Sequence, residues 1–135
     1  MNLSFVVEGK PQGKQRPRFG KNGLVYTPKE TKSYERSVAW AAKRARPKGW
    51  DTSQAVKVTV ACFFPDSRRR DGDNVLKAVL DAMNHIIYDD DCQVLIATVG
   101  KSVCRDDPHI IVLVEQYTSI FIGGSVADEK RPRAV

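Results

Sequence analysis

Ten consecutive residues concentrate the groups that could do chemistry. Arg68-Arg69-Arg70-Asp71-Gly72-Asp73-Asn74-Val75-Leu76-Lys77 sets two carboxylates two residues apart, between three arginines and a lysine. If the chain is extended as it approaches a helix, residues i and i+2 point the same way, about 6–7 Å apart at the backbone. Both side chains can then converge on one hard cation, and an oxygen-only ligand set suits Mg2+ or Mn2+. A cation so held polarises a phosphate, supplies hydroxide or steadies a leaving oxygen. Lys77 follows Asp73 by one helical turn, where it could hold the scissile phosphate or neutralise the transition state. Arg68, Arg69 and Arg70 can grip flanking phosphates. The pattern predicts metal-assisted chemistry on a phosphodiester. The structural alternative is that Asp73 caps a helix and Asp71 pairs with an arginine. An EF-hand is excluded, because the sixth position from Asp71 is Leu76 rather than Gly and the twelfth is Ala82 rather than Glu.

A second acidic cluster, Asp89-Asp90-Asp91, follows the helix that this stretch opens. Three carboxylates near a helix C-terminus oppose its dipole, so they are either an exposed acidic turn or part of a site. Distance constrains the second option. A helix from Asp73 to about Ile87 is about 21 Å long, and Asp91 starts at its far end. Either the helix is shorter than its pattern, or a second subunit completes the site, as a two-fold dimer would.

These residues need elements to position them. Asn2 to Glu8 read as a first strand. Gly9 to Pro28 are rich in glycine, proline and basic residues and read as a long loop, with a short strand around Leu24 to Tyr26. Pro28 to Arg46 have helical periodicity, with Tyr34, Val38, Ala41, Ala42 and Ala45 as the buried stripe. Gln54 to Pro65 alternate so that Val56, Val58, Val60, Cys62 and Phe64 share one face, which makes Cys62 a core residue. Asp73 to about Ile87 form the second helix, with Leu76, Val79, Leu80, Met83 and Ile87 inward and Tyr88 on another face. Cys92 to Val103 and His109 to Gln116 read as strands, and Arg105-Asp106-Asp107-Pro108 suggests an antiparallel hairpin between them. The expected class is α+β, with helices packed on a small mixed sheet. One domain spans 1–117, and 118–135 read as a tail in which Ile120 to Ile122 could dock.

The chain has 135 residues and a net charge of +6. Lys10 to Lys48 carry +10 and the remainder −4, which points to a positive surface for a polyanion beside a separate acidic site. Within the basic segment, Lys14, Arg16, Arg18 and Lys21 form a proline-stiffened loop suited to phosphates, and Phe19 or Tyr26 could stack on a base or pack inward. Cys62, Cys92 and Cys104 are odd in number and contain no C-x-x-C pair, which argues against a disulfide framework or a zinc site. No apolar run reaches the roughly 18 residues of a membrane span, and no signal-peptide pattern opens the chain. The expected location is the cytoplasm. His85 and His109 have no second ligand at metal spacing.

With these residues assembled, the chain resembles the RusA family of Holliday junction resolvases. The resemblance runs through RRRDGDNVLKAVLDAM at Arg68 to Met83 and YDDDCQV at Tyr88 to Val94. The N-terminal GKPQGKQRPRFGKNGLVYTP also looks like the opening of phage-type members. The resemblance implies a homodimeric, Mg2+-dependent endodeoxyribonuclease, with Mn2+ as an alternative metal. Its substrate would be four-way junction DNA, opened by paired symmetric nicks in recombination and repair. It implies that Asp71, Asp73 and Asp91 hold the metal, with Asp90 able to share the work. Lys77 matches the essential lysine and Arg70 the arginine before the first aspartate. Asp81 matches a later helix aspartate with a structural or supporting role. The rival expectations are a catalytically silent DNA-binding protein and a less selective metal-dependent nuclease.

Overall fold

The computed structural model describes residues 1–14, 18–20, 23, 25–26 and 29–117. Among these residues the strands and α-helices follow in the order β1 (Asn2–Glu8), β2 (Arg18–Phe19), β3 (Val25–Tyr26), α1 (Lys29–Ala45), β4 (Val56–Phe64), α2 (Gly72–Met83), β5 (Val94–Val103) and β6 (His109–Gln116), with a 3-10 turn, Asp91–Gln93, before β5. Four strands form a mixed sheet in the order β1-β6-β4-β5, and β2 and β3 form a separate antiparallel pair. Two helices on a mixed sheet agree with the expected α+β class. The tail beyond 117, and with it Ile120 to Ile122, lies outside the described residues.

The sheet buries one face. Leu3, Phe5 and Val7 of β1, Ile110, Val112 and Val114 of β6, and Val56, Val58, Val60, Cys62 and Phe64 of β4 all point into one core. Each is every second residue of its strand, as a pleated strand demands. From the helical side, α1 contributes Thr31, Tyr34, Val38 and Ala42, with Ala41 and Ala45 packed at the margin. Cys62 is in the core as expected, and burial pushes its thiol up to about 11.

The expected β5–β6 hairpin is not formed. β5 pairs with β4 in parallel, while β6 lies between β1 and β4, antiparallel to both. Burial explains the choice. Ile110, Val112 and Val114 are fully buried and require a central position, whereas β5 is exposed along most of its length and takes the edge. The turn after β5 crosses the end of β4, where the Cys104 amide donates to the Phe64 carbonyl at 2.8 Å.

Helix α2 also differs from its pattern: it ends at Met83, four residues early. The Asn84 amide bonds the Asp81 carbonyl at 3.3 Å, and the Ile86 and Ile87 amides both return to the Met83 carbonyl. His85 sits at φ +68°, outside the helical basin, and its amide donates to the Tyr88 carbonyl at 2.7 Å. This reversal folds Ile87 and Tyr88 beneath the helix, both fully buried. The apolar character at Ile87 therefore serves the core without continuing the helix, and Tyr88 is internal, contrary to expectation. The buried face of α2 is Val75, Ala78, Val79, Ala82 and Met83, with Leu76 and Leu80 at its edge.

The Tyr88 hydroxyl donates to the Leu80 carbonyl at 2.6 Å. That carbonyl belongs to the last turn of α2, where helical carbonyls lose their own partners. Tyr88→Phe would leave it unpaired, so the variant should unfold with about 1–2 kcal/mol less stability in urea titration. An unchanged midpoint would show that water satisfies that carbonyl.

Candidate active site

The unit β4–α2–β5 is a parallel crossover. It places the first turn of α2 beside the C-terminal ends of β4 and β5. There a cleft of about 580 Å³ is lined by Arg69, Arg70, Asp71, Gly72, Asp73, Val99 and Lys101. Asp71 is the N-cap of α2, in extended backbone, and its Oδ1 accepts from the Asp73 amide at 3.0 Å. A cap of this kind stabilises a helix by about 1 kcal/mol. Both carboxylates are exposed and share one end of the helix. Lys77, also exposed, follows Asp73 by one turn.

Arg70 is partly buried and anchored. Its Nη2 donates to both oxygens of Asp66 at 2.9 and 3.0 Å, and its guanidinium lies 5.6 Å from the centre of the Phe64 ring. Together these contacts tie the end of β4 and the residues after it to the chain just before α2. Arg68 and Arg69 are exposed, and the Arg68 amide also bonds Asp66, at 3.0 Å. Sequence reasoning missed Lys101. Its Nζ donates to the Arg70 carbonyl at 2.8 Å, and its stem lies 3.4 Å from where a Cβ on Gly72 would sit. Only the parallel β4–β5 pairing brings it here, and no local motif around Lys101 announces that.

The N-terminal basic segment enters from the other side. Lys10 to Lys14 line a second cleft with Arg69, Arg70, Asp71 and Asn74. A Cβ on Gly13 would come within 3.0 Å of the Asn74 side chain, and the Lys14 amide donates to the Asn74 carbonyl at 3.0 Å. The Lys14 ammonium pairs with Asp81 of α2 and, at 3.4 Å, with Glu35 of α1. The hydrogen bond to Asp81 holds its pKa above the usual lysine value. Its charge thus ties the two helices together. Arg16 and Lys21 lie outside the described residues, and Arg18 is described only as backbone, paired with Tyr26.

Asp90 and Asp91 are elsewhere. Asp91 opens a 3-10 turn, Asp91–Gln93, that leads into β5. Asp90 caps that turn, accepting from the Cys92 amide at 3.3 Å, and hydrogen bonds from Cys92 hold its carboxyl below the usual range. The Gln93 side chain donates to the Thr52 and Gln54 carbonyls, and Asp89 accepts from the Thr52 hydroxyl at 2.8 Å. This turn sits beside Val56, where β4 begins. From Val94 to Lys101 the strand rises about 23 Å. One chain therefore brings Asp71 and Asp73 together and leaves Asp90 and Asp91 at the opposite end of the sheet. Among the described residues, no three His, Cys, Asp or Glu side chains cluster to hold a metal. His109 stacks on Phe63, with ring centroids 4.4 Å apart.

A sequence profile described as Endodeoxyribonuclease RusA matches residues 8–115. This chain belongs to the RusA endodeoxyribonuclease family. Among its RusA-type relatives, the crossover junction endodeoxyribonuclease RusA of Escherichia coli K12 is 31% identical over 102 residues, covering 75% of this chain and 84% of the relative. The uncharacterized protein YqaN of Bacillus subtilis strain 168 is 29% identical over 141 residues, covering 87% and 98%. The RusA match spans every element from the end of β1 to β6, including both acidic segments.

The Asp66–Arg70 pair gives a test of the cleft's local order. Arg70 holds the Asp66 carboxyl below its ordinary 3.8. A depressed carboxyl contributes stability above its unfolded pKa and loses it as pH falls through the folded value, so this contribution should fade below about pH 4. In a carboxyl 13C titration, the Asp66 midpoint should lie under 3.8 and return toward it in Arg70→Gln. A native midpoint at or above 3.8 would mean the pair is open in solution.

Proposed function

We propose that this chain is a divalent-metal-dependent endodeoxyribonuclease that resolves four-way DNA junctions as a two-fold dimer. Each active centre would draw carboxylates from both subunits. The observation that carries this reading is the separation of the two acidic groups along one strand whose outer edge is open. β5 is the sheet edge, and it exposes Leu95 and Ile96 at 46% and 37%. An apolar open edge is a template for pairing with another strand. Antiparallel pairing of two β5 strands about an axis near Leu95–Thr98 would reverse one strand on the other. The partner subunit's Asp91 would then come level with Lys101, beside Asp71 and Asp73.

The donor set fits a hard cation. Asp71 keeps one carboxylate oxygen free of its cap bond, Asp73 is exposed at the same helix end, and oxygen ligands alone favour Mg2+ or Mn2+. Asp71, Asp73 and the partner's Asp91 would hold the ion, which when bound polarises the phosphate and lowers the pKa of water. Lys101 lines the cleft with the carboxylates and Lys77 follows Asp73 by one helical turn; both would take the non-bridging oxygens of the scissile phosphate. Lys101, moored by one bond to the Arg70 carbonyl, keeps donors to spare. Arg69 would meet the flanking phosphate, and Arg70, fixed by Asp66, would shape the wall. Two such centres about a dyad suit paired nicks in a junction with the same symmetry.

The test is cleavage of a labelled synthetic junction, against linear duplex, in Mg2+ and in EDTA. Paired nicks confined to the junction should disappear in EDTA. They should fall at least about a hundredfold in Asp73→Asn and about tenfold in Lys101→Met, without loss of fold. Binding without nicks would point to a silent DNA-binding protein, and equal cutting of duplex to a less selective nuclease. The shared centre has its own check. Co-refolded Asp73→Asn and Asp91→Asn chains should regain single-strand nicking, because one centre of the mixed dimer keeps all its carboxylates. If the mixture stays as inactive as its parents, each centre lies within one chain.

A further inference from the structure

The outer face of α1 carries a feature that the cleavage site does not use. Trp40 is 66% exposed, although tryptophan is the side chain with the most apolar area to gain from burial. At 100° per residue, the positions within about 60° of Trp40 on α1 are Lys29, Ser33, Arg36, Ser37, Lys43 and Arg44. All are exposed, and none is acidic. Of the two glutamates of the helix, Glu35 is turned to Lys14, and Glu30 lies off this stripe. One tryptophan thus stands among four cations and two hydroxyls on a face about 22 Å long.

Trp40 also lines a groove of about 480 Å³ between α1 and β1. Its other lining residues are Val6, Val7, Glu8, Ser37, Ala41 and Arg44, so one carboxylate, from β1, faces it. Trp40 thus has apolar neighbours in Val6 and Val7 along the groove while most of its side chain stays in solvent. Tryptophan and arginine are common in protein interfaces, but interface cores are depleted in charge overall, and four cations with no acid on this stripe match a protein poorly unless it is itself a polyanion. A polyanion with flat apolar faces matches both halves of the pattern.

We propose that the outer face of α1 is a nucleic-acid contact, in which Trp40 stacks on a base freed from its helix while Lys29, Arg36, Lys43 and Arg44 take the adjoining phosphates. That the base comes from the branch point of a junction rests on the reading given above. The stacking itself needs only an unpaired or end-exposed base, because every base has a π-face. The phosphate contacts add affinity without sequence preference and are sensitive to salt. The site would hold an arm or the crossover of the substrate, away from the scissile bond.

The test is binding of a fluorescent four-way junction and of linear duplex in EDTA, so that nothing is cut. Trp40→Ala should weaken junction binding about ten- to a hundredfold, with a much smaller effect on duplex. Trp40→Phe should recover part of the loss. Arg36→Gln with Arg44→Gln should weaken both substrates and flatten the salt dependence by about two phosphates' worth. Junction binding should quench native tryptophan emission, and Trp40→Phe should abolish that change, since Trp50 is bonded to the Ile87 carbonyl at 2.8 Å and is not on this face. A thermal melt verifies that each variant is folded.

If folded Trp40→Ala binds the junction as the native chain does, the contact is overturned, while native junction cleavage would leave the resolvase reading standing. If Trp40→Ala instead turns a dimer into a monomer by light scattering, the face is a subunit contact and the inference also fails. Should the native chain bind through Trp40 yet cut nothing, the α1 contact stands and the resolvase reading falls.

Discussion

Strand β4 is hydrogen-bonded on both sides, to β6 in one direction and to β5 in the other. Its buried face, Val56 to Phe64 in alternation, belongs to the one core that both helices cover. Because its pairing with β5 is parallel, the chain must cross the whole sheet between them, and α2 is that crossing. The first turn of α2 is thereby fixed at one end of the sheet and the acidic turn before β5 at the other. Every statement about which carboxylates meet follows from this one pairing.

Much of the layout was legible because its signals are local. The alternation in β4, the stripe of α1 and the bounds of β1 depend only on period and burial, and the structure follows them closely. The Asp71–Asp73 pair at a helix N-terminus was legible for the same reason. The failures are non-local. Nothing in residues 94–116 says that β6 inserts between β1 and β4, because a tight polar turn serves a hairpin and a crossover equally well. Nothing around Lys101 says that it will face Gly72. The early end of α2 was hidden because Ile87 and Tyr88 are apolar for the core's sake, and a left-handed His85 carries no strong sequence mark.

The charges divide into those spent on the fold and those left for a ligand. Lys14 is taken by Asp81 and Glu35, and Arg70 by Asp66. Both read from sequence as phosphate contacts, and in the structure both lock segments around the cleft. Carboxylates near basic runs are thus ambiguous in sequence: the same residue types build a brace or a binding site. Arg68, Arg69, Lys77 and the outer face of α1 stay open to solvent. The positive charge is therefore displayed on particular surfaces, and the cleft is where exposed carboxylates, Asp71 and Asp73, stand beside exposed basic side chains.

The mooring of the acidic turn has a thermodynamic consequence. Gln93, Asp89 and Asp90 bind it to the Thr52–Gln54 segment and to itself, so Asp91 cannot swing toward Asp71 without breaking several hydrogen bonds. A cation held between Asp91 of one subunit and the helix end of another would join two rigid bodies rather than two flexible arms. Metal uptake and subunit association would then be one coupled equilibrium: each tightens the other by the same factor, and dilution loosens both.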